Sequence, residues 1–251
     1  MNAEKRTKAD ILGCYIDLLN MREVINRVER IIKKGKPAHL ITLNAEIAYQ
    51  AQNDETLRKV INSAEMVTAD GIGIVWAARQ KGYSMQERVT GIDLFYELCS
   101  LAAKKGWKLY FLGAAPGVAE RAAENLMKEY PSLSVCGCRN GYFDDRELKG
   151  IIADIKEKSP EILFLALGVP KQEYWISEYK DELNIPLCLG IGGSFDVVAG
   201  IKKRAPALMI KLNLEWLYRL ISEPLRIKRQ IALPKFVLLI LKEKYFPKAK
   251  P

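Results

Sequence analysis

Val67-Thr68-Ala69-Asp70-Gly71-Ile72-Gly73 holds the end of a strand, a turn and the start of a helix. The apolar run from Met66 to Ala69 is short and uniformly apolar, as a strand buried on both faces should be. A carboxylate closes it, and a Gly-x-Gly turn then lets the backbone reverse and open a helix. The same order recurs along the chain. Apolar runs at Leu40–Leu43, Met66–Ala69, Leu109–Leu112, Leu133–Cys138, Ile162–Leu167 and Leu187–Ile191 read as strands. Helix-period segments at Ala45–Ala51, Ile72–Arg79, Leu94–Lys104, Val118–Glu129, Glu147–Lys158 and Lys171–Leu183 lie between them. Strands of this kind separated by helices form a mostly parallel sheet covered on both faces, so the predicted class is α/β. Such sheets bind ligands at the carboxyl ends of their strands, which directs attention to those ends.

The charge is unevenly divided. Residues 1–200 hold 26 Lys and Arg against 27 Asp and Glu, whereas residues 201–251 hold 13 against 3. The neutral body, 1–200, is expected to do the chemistry, and the basic tail, 201–251, to choose where it is done. The tail is also rich in Leu, Ile, Phe, Trp and Tyr, and Ala207–Ser222 reads as one amphipathic helix with Lys211, Glu215 and Arg219 on a narrow polar stripe. A basic apolar extension seeks an anionic surface, lipid or nucleic acid. Its apolar content suits a bilayer better than a phosphate backbone, so no nucleic-acid partner is expected. The longest apolar run of the tail, Phe236 to Leu241, is far below the roughly 20 residues of a membrane span. With no apolar stretch after the charged start Met1–Lys8, no signal peptide is expected. Five cysteines without a Cys-x-x-Cys pattern read as reduced thiols of a cytosolic protein. The single histidine, His39, precedes an apolar strand and reads as structural.

Several strand ends carry polar groups. Thr42 and Asn44 fall where a strand gives way to a helix; Asn44 is either a helix cap or, with Thr42, a neutral hydrogen-bonding group for a sugar or nucleotide. Asp70 is either a cap or an ionised base beside a phosphate-binding turn. Tyr142 offers an aromatic ring to a base, and Lys171 and Gln172 offer polar groups to a diphosphate or to hydroxyls. Gly192, Gly193 and Asp196 form a glycine-rich strand end closed by an acid, suited to ribose hydroxyls or a base N–H. No Asp-x-Asp motif is present to hold a divalent metal against a nucleotide diphosphate, so Arg88 or helix amides would have to meet that charge.

Taken in order, these segments resemble the WecG/TagA/CpsF family of bacterial glycosyltransferases. The resemblance runs from about Thr42 to Arg229. It rests on Thr42-Leu43-Asn44-Ala45-Glu46, Thr68-Ala69-Asp70-Gly71-Ile72-Gly73, Arg88-Val89-Thr90-Gly91, Gly168-Val169-Pro170-Lys171-Gln172-Glu173, Gly190-Ile191-Gly192-Gly193-Ser194-Phe195-Asp196 and Arg204-Ala205-Pro206. It implies a Rossmann-like fold and an inverting, metal-independent transfer needing no cofactor. The implied reaction moves N-acetylmannosamine from its UDP-sugar to undecaprenyl-diphosphate-linked GlcNAc in wall teichoic acid linkage-unit synthesis. The implied location is cytoplasmic, peripheral on the inner face of the cell membrane. By the same resemblance Asp70 is the base and Arg88 assists the leaving diphosphate. Thr42, Asn44 and Gln172 position the sugars, and the glycine loop through Asp196, with Tyr142, holds the uridine. Arg219, Arg226 and Arg229 of the appendage meet a diphosphate, sharing one face if the helix continues past Pro224. Self-association of the core off the membrane also fits the family. The residues leave open the same chemistry with another donor, UDP-N-acetylmannosaminuronic acid or a UDP-hexose. A non-catalytic nucleotide- or nucleic-acid-binding protein with a basic tail is the rival of another class.

Overall fold

The computed structural model describes residues 8–224 and 227–246. It opens on an antiparallel hairpin of β1 (Lys8–Ile11) and β2 (Cys14–Asp17). Leu12 and Gly13 turn it in left-handed conformation, and Asp10 accepts the Gly13 amide at 2.7 Å. Helix α1 (Met21–Lys34) follows, fixed at its start by a reciprocal Asn20–Glu23 capping box and at its end by left-handed Gly35. The chain then alternates: β3 (His39–Leu43), α2 (Ala45–Gln50), α3 (Glu55–Ser63), β4 (Met66–Ala69), α4 (Ile72–Gln80), α5 (Gly91–Lys105), β5 (Lys108–Gly113) and α6 (Val118–Glu129). The body continues with β6 (Ser134–Arg139), α7 (Asp145–Lys158), β7 (Ile162–Ala166), α8 (Lys171–Leu183), β8 (Leu187–Gly190) and the short α9 (Ser194–Val198). The tail forms α10 (Ala207–Lys211), α11 (Glu215–Ser222), α12 (Ile227–Gln230) and α13 (Ala232–Tyr245).

Strands β3 to β8 make one six-stranded sheet in the order β4-β3-β8-β7-β5-β6, with every pair parallel. The predicted parallel sheet is therefore present, and all six carboxyl ends open on the same edge. Successive side chains leave a strand on opposite faces. Leu40, Leu109, Phe111, Ile162 and Phe164 pack under α1, α5, α6 and α9. On the other face Tyr110, Leu112, Leu163 and Leu165 meet α7 and α8, while Ile41, Leu43 and Val67 meet α2, α3 and α4. Burial on both faces is why these runs read as uniformly apolar.

The tail departs from the single helix expected over Ala207–Ser222. Asn213 takes a left-handed conformation (φ 60) and parts α10 from α11, so Lys211 leaves the stripe that carries Glu215 and Arg219. Asn is among the few residues that enter this region at small steric cost. Helix α11 ends at Ser222, and Glu223 (φ −132, ψ 76) leaves the helical region ahead of Pro224, whose ring disfavours a helical residue before it. Helix α11 stops before Pro224, so Arg219 and Arg229 sit on separate helices, and Arg226, expected to share their face, lies outside the described residues. Helix α13 returns to the body and lies on α2 and α4, with Phe236 (1% exposed) and Ile240 in the same core as Ile41 and Val67. Its Pro234 falls in the first turn, where a missing N–H is tolerated. Among the described residues no helix is long and apolar enough to cross a membrane.

Candidate active site

Asp70 extends the parallel ladder by one bond, its amide donating to the Leu43 carbonyl at 2.7 Å. Gly71 then adopts φ 86, and α4 starts one residue later. The segment around Arg88 returns to the same place, because the Val89 amide donates to the Ala69 carbonyl at 2.8 Å. This seats Gly91, the first residue of α5, over the ends of β3 and β4. A Cβ there would lie 3.2 Å from Thr42 Oγ1 and 3.8 Å from Asp70 Oδ2. Thr42, Asp70 and Gly91 thus converge from three separate elements.

Asp70 stays half-buried at the mouth of the sheet edge. Burial pushes its pKa up to about 6; Arg219, the Gly91 amide and Arg88 pull it down, and Glu215 pushes it up. The tail therefore brings charge of both signs to Asp70. Arg88 is held by it directly: its guanidinium donates to Glu215 at 2.7 Å and to the Ile210 carbonyl at 3.2 Å. Both partners of the pair are largely shielded, at 17% and 13% exposed. Below this point Arg204 pairs with Asp93, which also caps α5 through Thr90, and so anchors the chain where it leaves the body.

A second group of polar side chains lies between the ends of β7 and β8. Gln172 and Glu173, each 2% exposed, begin α8. Gln172 Nε2 donates to Glu173 Oε1 at 3.0 Å, and Gln172 Oε1 accepts the Gly192 amide at 3.2 Å. Gly190 makes room for this arrangement, since a Cβ there would collide with the Gln172 amide. The loop after β8 is further fixed by Ser194, which donates to the Ile191 carbonyl at 2.8 Å, and by Phe195. The Phe195 ring sits 4.8 Å from that of Phe111 and 5.8 Å from that of Phe95.

The expected site residues therefore fall into groups. Thr42, Asn44, Asp70, Gln172, Gly192, Gly193 and Asp196 all lie at the carboxyl ends of β3, β4, β7 and β8. Asn44 does cap α2, accepting the Ile47 amide at 3.0 Å. Asp196 pairs with Lys202 at 3.2 Å. Tyr142, 76% exposed, follows β6 on the far side of the sheet. The loop that carries it turns back over the ends of β5 and β7, where the Gly141 amide donates to the Ala114 carbonyl at 2.8 Å. Arg88 and the exposed Arg219 flank Asp70; Arg229 is exposed on α12, and Arg226 lies outside the described residues. His39 is buried at the opposite edge of the sheet with its pKa pushed down to about 3 by burial and then by Lys180, as a structural histidine would be. Among the described residues no cluster of three His, Cys, Asp or Glu side chains could hold a metal ion. Sequence reading placed Glu215 only on the polar stripe of the tail, without a partner, and did not single out Asp93. An acid amid the basic tail was the one available signal for Glu215, and nothing local gives away its partner 127 residues earlier.

The profile of the glycosyl transferase WecG/TagA/CpsF family matches residues 9–250. The chain is 36% identical over 242 residues to the N-acetylglucosaminyldiphosphoundecaprenol N-acetyl-beta-D-mannosaminyltransferase of Bacillus subtilis (strain 168), covering 94% of this chain and 91% of that protein. It is 35% identical over 211 residues to the protein of that name from Bacillus spizizenii (strain ATCC 23059 / NRRL B-14472 / W23), covering 84% and 81%. It is 34% identical over 249 residues to that of Staphylococcus aureus (strain MW2), covering 97% of each.

Proposed function

The chain belongs to the WecG/TagA/CpsF family of glycosyltransferases, and from that premise we propose that it transfers N-acetylmannosamine from UDP-N-acetylmannosamine to undecaprenyl-diphosphate-linked GlcNAc, building the linkage unit of wall teichoic acid. The observation that carries the reading is the convergence of Thr42, Asp70, Gly91 and Arg88 at one mouth of the parallel sheet. The names of the relatives supply the sugar and the acceptor.

The chemistry is a single displacement. Asp70 takes the proton of the acceptor hydroxyl as its oxygen bonds to the anomeric carbon, the bond from that carbon to the diphosphate breaks, and UDP leaves with the electron pair. Attack from the face opposite the leaving group inverts the anomeric centre. Arg88 and Arg219 meet the charge that develops on the diphosphate, so no metal is needed. A carboxylate with a pKa of about 6 is mostly ionised at neutral pH yet basic enough to accept the proton. Thr42, Asn44 and Gln172 position the sugars, and the loop of Gly192, Gly193 and Asp196, with Tyr142, takes the uridine.

Residues 1–200 act as the catalytic body and 201–251 as an appendage that brings it to the cytoplasmic face of the cell membrane. Leu208, Leu212, Trp216, Ile221 and Leu238 are exposed among its basic residues, the composition that anionic lipid attracts. Off the membrane that apolar surface favours self-association. The test is UDP release by the purified protein in EDTA, with UDP-N-acetylmannosamine and a lipid-diphosphate-GlcNAc analogue in liposomes. Acceptor-dependent release is expected. Release only with UDP-N-acetylmannosaminuronic acid or a UDP-hexose would move the donor assignment, and release only after adding Mg²⁺ or Mn²⁺ would refute the metal-free account.

A further inference from the structure

Glu173 has no part in the displacement described above, yet its surroundings are unusual. Its carboxyl is 2% exposed, and Oε2 has no hydrogen-bond partner. Burying a carboxyl with a partnerless oxygen is unfavourable, and an apolar side chain of similar length would fit the interior better. Burial pushes its pKa up to about 7, against the downward pull of its bond to Gln172 and a backbone bond. The one side-chain bond it makes is to Gln172 Nε2.

That bond fixes a direction. The Gly192 amide can only donate, so the Gln172 atom facing it must be the carbonyl oxygen. The Gln172 NH₂ group is thereby turned inward and needs a buried acceptor, which Glu173 Oε1 supplies. An ionised carboxylate accepts through either oxygen, and a protonated one still accepts through the oxygen without the proton, so the orientation survives titration. Without an acceptor at 173 the Gln172 amide loses the reason to keep its oxygen on Gly192. Gly192 adopts φ 53 next to Gly193, in a stretch pinned at Leu165 by the Ile191 amide and in the core by Phe195. The Gln172 bond is thus the side-chain hold on the free part of the loop.

We infer that Glu173 is a positioning residue of the donor site: through Gln172 it sets the backbone of the glycine loop between β8 and α9. The inference rests on the reading that this loop holds the nucleotide of the donor. It goes further in assigning a role to a buried acid that would never touch the substrate.

The experiment uses the full chain and two variants, Glu173→Met, which keeps length and removes the acceptor, and Glu173→Gln, which keeps an acceptor oxygen. Three quantities are measured: exchange of the Gly192 amide in ¹⁵N-glycine-labelled protein, affinity for UDP by calorimetry, and KM for donor and acceptor separately. Expected for Glu173→Met are faster Gly192 exchange and donor-side affinity weakened about tenfold, the size of one lost hydrogen bond. The acceptor KM should stay unchanged, because the loss of the buried carboxyl and the unpaired Gln172 amide act on the fold and not on the acceptor side. Glu173→Gln should stay within about threefold on every measure, because its amide oxygen takes over the bond. Unchanged UDP affinity in Glu173→Met would overturn the inference. So would a fall in melting temperature with both KM values rising together, or a Glu173→Gln variant no better than Glu173→Met. If the unsubstituted chain bound no UDP, the donor reading would fall, and Gly192 exchange would still decide whether Glu173 orients the loop.

Discussion

At the scale of single residues the proposed reaction turns on Asp70 and on the charges arrayed around it. Asp70→Asn keeps the shape but cannot accept a proton. Turnover is expected to fall about 10²–10⁴-fold while UDP affinity, measured by calorimetry, stays near that of the unsubstituted chain. The pH profile gives a finer test. A base must be deprotonated to act, so the rate should rise with pH through about 6 and level off above it. Glu215 pushes the Asp70 pKa up, both as a negative charge and by engaging the Arg88 guanidinium. Removing that charge in Glu215→Gln lowers the Asp70 pKa, so the acid limb of kcat/KM should move to lower pH. A limb that stayed in place would mean that α11 does not govern the base.

At the scale of elements the site depends on loops held by buried side chains. The glycine loop after β8 is tethered through Phe195, which is fully buried against Phe95 and Phe111. Phe195→Ala removes that ring from a packed core and should cost about 3–5 kcal/mol of stability, read from denaturant unfolding. A cost under about 1 kcal/mol would show the loop to be fixed elsewhere, by Gln172 or Ser194. Helix α5 has the complementary role. Thr90 and Asp93 cap it, Arg204 ties the start of the tail to Asp93, and Gly91 at its first turn leaves the space that Thr42 and Asp70 share.

At the scale of the molecule the body and tail meet in two ways. Helices α10 and α11 reach the mouth through Arg88, and α13 packs Phe236 and Ile240 against α2 and α4. Each of those two side chains contributes about 1.5–3 kcal/mol by burial. Deleting residues 201–251 should therefore leave a body with native circular dichroism and a lowered melting temperature. It should transfer sugar poorly, having lost Glu215 and Arg219 from the mouth, and should no longer float with anionic liposomes in low salt. Full turnover by the truncated protein would reduce the tail to an anchor.

Much of this molecule is legible in one dimension. Uniformly apolar runs such as Ile162–Ala166 and Leu187–Gly190 announce buried parallel strands, because burial on both faces removes the alternation that a half-exposed strand would show. Asp70 and the glycine loop stand out for a related reason: a parallel sheet gathers its strand ends on one edge, so polar residues just after apolar runs are brought together by topology. The hairpin β1–β2 and helix α1 escaped notice, since four-residue strands and a mainly polar helix depend on what they pack against. The break at Asn213 was hidden as well, for the apolar period runs through it and only a left-handed backbone interrupts the helix. By itself the sequence determined the α/β class, the edge where chemistry can occur and the division of charge between body and tail, because each follows from local patterning. Only the tertiary structure decided that Glu215 holds Arg88, that Gln172 is turned by Glu173 onto Gly192, and that α13 closes over α2 and α4. Those contacts join residues from separate elements, and the energy that selects them exists only once the sheet has brought the elements within reach.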